Sequence, residues 1–120
     1  MLASYLRYLL RRKNAFQLHS PFVYTLYIKV IRGRDEEALR KLGIERTEKV
    51  PVGELLERYL AERSQDTMWV AEGIHHDRKN EEVWNTICAH PDVTLTIDLY
   101  REGWVFYREG MEKQDFCLRR

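Results

Sequence analysis

The sequence predicts an α/β protein, close to an α+β remnant, with N-terminal helices followed by a small mixed sheet of 3–4 strands that ends in an antiparallel hairpin. Three observations carry that expectation. Apolar residues recur at helical spacing through most of residues 1–63. A short apolar run, "TMWVAEGI", follows a helix, as in a layered α/β unit. In "VTLTIDLY", Val93, Leu95, Ile97 and Leu99 alternate with Thr94, Thr96, Asp98 and Tyr100, the period of a strand with one buried face and one mixed face.

The elements follow in order. Leu2, Tyr5, Leu6, Leu9 and Leu10 mark an amphipathic first helix with Arg7, Arg11 and Arg12 mostly on its other side. In "HSPFVYTLYIKVIRG", Ser20 reads as an N-cap, Pro21 as the first helical residue and Gly33 as a left-handed C-cap. Between them only Thr25 and Lys29 are clearly polar, so the helix from Ser20 to Arg32 calls for cover on more than one side. "DEEALRKLG" is a short third helix, acidic at its start and basic at its end. "IERTEKVPVG" reads as a connector. "PVGELLERYLAERS" puts Leu55, Leu56, Tyr59 and Leu60 on one stripe of a fourth helix. "RKNEEVWNTICAHP" gathers Val83, Trp84, Ile87 and Cys88 on one face of a fifth. After the hairpin formed with "WVFYR", "DFCLRR" can add a further strand beyond the turn at Gly110.

Composition narrows function. A chain of 120 residues suits one core, so residues 1–120 are expected to form a single domain, mainly helical over 1–63 and strand–helix–hairpin over 64–120. Its formal charge of +1 supplies no global field for nucleic acid or an anionic membrane. The two cysteines, Cys88 and Cys117, lack metal or disulfide spacing, and the N-terminus lacks the charge-then-apolar order of an export signal, so a cytoplasmic protein is expected. No apolar run approaches the roughly 18 to 20 residues of a membrane span.

"HSPFVYTLYIKVIR" together with "WVAEGIHHDRKNEEVWNTICAHPDVTLTIDLYREGWVFYRE" resembles the two ends of a family of class I S-adenosylmethionine-dependent methyltransferase-like proteins of the Bacteroidetes group. The resemblance covers about the first third and the last half of the chain. It implies a doubly wound fold in which "TMWVAEGI" is the fifth strand, lying between the fourth and the seventh, and the hairpin is the sixth and seventh. It also implies a cofactor held by a Gly-rich turn and a ribose-binding acid. Neither is written here, because the six glycines are widely separated. The chain therefore reads as a truncated member without the cofactor-binding core and with no cofactor of its own.

Local chemistry centres on "EGIHHDRKN" at the carboxyl end of the fifth-strand equivalent. Glu72 matches the acidic cleft residues of the resembled family and is the candidate general base, while His75, His76 and Asp77 are the binding candidates, with Cys88 and His90 one helix away. Adjacent histidines point apart and no His-x-x-x-His spacing exists, so a solvated loop is preferred and no metal is assigned. Arg7, Arg11, Arg12 and Lys13 beside Tyr5 and Tyr8 offer a phosphate-binding surface, against which a solvated helix face is preferred. Trp69, Trp84 and Trp104 read as core.

The preferred function is a non-catalytic protein-interaction module. One alternative is a methyltransferase whose S-adenosylmethionine site is completed by another chain, and a second is a small nucleic-acid- or metal-binding protein. With the fourth strand deleted, the strand around Trp69 would be an apolar edge, so a homodimer through that edge and the Ser20–Arg32 helix is expected.

Overall fold

The computed structural model describes residues 12–13 and 21–118. The first helix, the Ser20 cap and the side chains of the Arg7–Lys13 cluster lie outside them. Among the described residues six strands form one mixed sheet: β1 (Arg12–Lys13), β2 (Arg46–Pro51), β3 (Thr67–Glu72), β4 (Leu95–Asp98), β5 (Glu102–Phe106) and β6 (Gln114–Leu118). Their spatial order is β1-β6-β4-β5-β3-β2. Only β5 runs against its neighbours, pairing antiparallel with β3 and β4, while β2 with β3, β4 with β6 and β1 with β6 are parallel. The helices are α1 (Pro21–Thr25), continued by a wider π-helical stretch over Leu26–Arg32, then α2 (Glu37–Lys41), α3 (Val52–Glu62) and α4 (Arg78–Ala89). The α/β class is thus as expected, with more strands than expected.

Two of those expectations change. "IERTEKVPVG" is not a connector, since Arg46–Pro51 form β2 and pair residue for residue with Thr67–Glu72. The strand around Trp69 is consequently not an edge: β3 has β2 on one side and β5 on the other.

Helices cover both faces of the sheet, which makes the strands between them apolar almost throughout. On one face Val23, Leu26, Tyr27, Val30 and Ile31 of the first helical segment pack over Met68, Val70, Leu95, Ile97, Trp104 and Phe106. Phe22 meets Phe106 edge-on at 5.5 Å. Over its described residues, 21–32, this apolar stretch therefore finds its cover within one chain, leaving Tyr24 at 47% and Ile28 at 37% exposed. On the other face α3 and α4 place Leu55, Tyr59, Trp84 and Ile87 over Val50, Trp69, Ala71 and Val105. The side of β4 expected to be mixed is closed by this layer, so Thr96 and Asp98 are both buried. Trp69, Trp84 and Trp104 are core, each less than 5% exposed.

Two glycines explain local fit. Gly33 does not adopt the left-handed cap: its φ is −83°, and the positive φ of 53° falls on Arg34. Glycine is needed there because a Cβ would stand 2.7 Å from the Lys29 carbonyl oxygen, where the π-helical turn closes through Gly33 N–H donating to Ile28 O. Gly103, in β5, lies under the Trp84 ring, and a Cβ would come within 2.4 Å of Cη2. Gly103→Ala is expected to cost about 1 to 3 kcal/mol, since the added methyl overlaps the indole and a ring only 1% exposed must shift to admit it. Chemical denaturation measures it, and an unchanged midpoint would mean that α4 shifts off the sheet at little cost.

Candidate functional site

The side chains with most chemistry converge where β3 and β4 end and α4 begins. Asp77 caps α4, accepting a hydrogen bond from the Asn80 backbone N–H at 2.8 Å. Asn80 in turn donates through Nδ2 to the Gly73 carbonyl at 3.0 Å, fixing the loop against the helix. This loop turns His75 inward. Its Nδ1 lies 2.8 Å from Glu81 Oε2 on α4 and its Nε2 lies 2.7 Å from Asp98 Oδ2 at the end of β4. Tyr100 stacks on the imidazole at 5.0 Å between ring centres.

The His75 side chain is 10% exposed and that of Asp98 only 3%. An imidazole with a carboxylate at each nitrogen is satisfied on both sides only when both nitrogens carry hydrogen. Burial opposes the charge, but the hydrogen bonds and charges of Asp98 and Glu81 outweigh it, raising the His75 pKa above its ordinary 6.5. Asp98 also accepts from the Tyr100 backbone N–H through Oδ1 at 2.8 Å. That bond steadies a tight reversal in which Tyr100 has a φ of 72°, a costly conformation for a bulky residue.

Of the expected binding residues, only His75 enters this cluster. His76 is exposed, and its backbone N–H donates to Gly73 O at 3.0 Å. Asp77 is consumed by the helix cap. Glu72 ends β3 exposed, opposite Glu102 of β5, and touches neither His75 nor Asp98 in any described hydrogen bond. His90 accepts from the Asp92 N–H at 3.0 Å and Cys88 donates to Thr96, whereas the ring nitrogens of His75 meet Glu81 and Asp98. Among the described residues no three His, Cys, Asp or Glu side chains are arranged to hold a metal ion. Glu81, Asp98 and Tyr100 were missed by sequence reasoning. The available signal was the apolar face of α4, which needs a second sheet face and so puts Asp98 beneath it.

A second feature lies on the opposite face. A cavity of about 760 Å³ opens between α2 and the β2 end of the sheet, with Met68, Val70 and Trp104 at its floor and Thr47, Lys49 and Arg40 around it. Among the described helices none is long and apolar enough to cross a membrane. No protein-family model, curated protein or solved structure matches the chain.

Proposed function

We propose that this chain is a non-catalytic, cytoplasmic protein-interaction module built on the second half of a class I methyltransferase-like sheet. The observation that supports this reading is strand order. In the resembled family the fifth strand lies between the fourth and the seventh, and β3 lies between β2 and the reversed strand β5, with β4 beyond it. On this reading β2 takes the place of the fourth strand, and the described sheet ends there.

The next strands of such a sheet would carry the Gly-rich turn and ribose-binding acid. Here the helix after β2 follows the strand with no intervening loop, and the loop from β3 to α4 holds a single glycine, Gly73. His75 supports a structural role too, since both ring nitrogens are engaged and neither is left to take a substrate proton. Both cysteines stand as thiols, in keeping with a reducing compartment. The interaction surface belongs at β2, not at the strand around Trp69.

Titration calorimetry with S-adenosylmethionine tests the reading. No binding heat and no thermal shift are expected, whereas stoichiometric binding with a shift of several degrees would overturn it.

A further inference from the structure

We infer that the partner taken by β2 is a second copy of this chain, paired antiparallel about a two-fold axis at Thr47; the inference rests on the interaction-module reading above. Arg46 N–H donates to Asp66 O at 3.0 Å, so the backbone groups of Arg46, Glu48 and Val50 turn toward β3. With a period of two, those of Thr47 and Lys49 turn outward, and Pro51, which has no N–H to lose, occupies the next outward position. Thr47 can therefore exchange two backbone hydrogen bonds with its own copy.

Charge selects this register. Residues opposite one another in an antiparallel pair share a face. Centring the pair on Arg46, Glu48 or Lys49 would set that residue against its own copy, like charge on like. Centring it on Thr47 sets Arg46 against Glu48 of the second copy on one face and, on the other, brings the side chain of Glu45, which precedes β2 and whose N–H is taken by Asp66 O at 2.7 Å, to the copy's Lys49. Each pairing occurs twice by symmetry. Arg46 and Glu48 already meet within one chain at 2.9 Å, with Arg58 at 3.6 Å from Glu48, so the first face would gain a network of alternating charge. On the second face Glu45, Thr47 and Lys49 all line the 760 Å³ cavity, so the copy's Lys49 would wall its mouth and bring the two cavities side by side.

Sedimentation equilibrium of the full chain at micromolar concentration is the test. The wild type is expected to be a dimer. Thr47→Pro, which removes an outward N–H that β3 does not use, is expected to give a folded monomer. Glu45→Lys should weaken the dimer on the order of tenfold by placing lysine opposite lysine twice, and Glu45→Lys combined with Lys49→Glu should restore it. A wild-type monomer, or a dimer indifferent to both Thr47→Pro and the charge exchange, would overturn the pairing. Neither outcome bears on S-adenosylmethionine binding, so failure of the pairing and failure of the non-catalytic reading are told apart.

Discussion

Trp84→Ala should lower the free energy of unfolding by about 3 to 5 kcal/mol, the cost of emptying a large aromatic site in a core that cannot collapse around it. Trp84 is 1% exposed and lies on the inner face of α4 in the cluster with Leu55, Tyr59, Trp69 and Val105. The sheet beneath it is held by antiparallel pairing on both sides of β5, so Gly103 cannot rise to fill the space. Urea titration followed by circular dichroism gives the number, and a loss under about 1 kcal/mol would show that α4 repacks. Because Gly103 owes its lack of a side chain to this ring, Trp84→Ala and Gly103→Ala together should cost less than the sum of the two.

His75→Ala should cost about 3 to 5 kcal/mol near neutral pH, because it leaves two carboxylates facing each other with Asp98 almost wholly buried. The wild-type protein should also show a pH dependence with a definite sign. His75 has a raised pKa in the folded state, so folding binds its proton more tightly than the unfolded chain does. The associated stability is fully present below the unfolded imidazole value of about 6.5 and is lost as pH rises through the folded value above it. Glu81 and Asp98 face the ring from α4 and β4, and Tyr100 covers it from the β4–β5 turn. In His75→Gln this loss of stability above pH about 6.5 should disappear while the fold persists. An unchanged profile in that variant would assign the pH response to another group.

α3 and α4 were legible because their apolar stripes are strong: Leu55 and Tyr59 on α3, and Trp84 and Ile87 on α4, are all buried as their spacing implied. The hairpin and the β3 strand were legible for the same reason. What escaped was β2. An edge strand with exposed Arg46, Thr47 and Lys49 buries only Val50, so no alternation betrays it. The candidate site was half legible. "IHHD" drew notice to the right loop, but choosing His75 over His76 depends on which histidine the α4 cap turns inward, a tertiary matter. Asp98 sits at a polar position of an alternating strand, and only the helix layer above that face makes it buried.

The placement of β5 has a consequence for the order in which the chain acquires its structure. β2, α3 and β3 are contiguous, and their pairing closes a short loop of sequence, so this unit can organise early. β4 cannot join it, because β3 and β4 do not touch as strands and only β5 bridges them. Until residues 102–106 are available the two halves of the sheet have no seam, and the apolar edges of β3 and β4 stand open during synthesis. The strand that runs backwards is thus the closing piece, and slow or faulty insertion of it would expose two apolar, aggregation-prone edges.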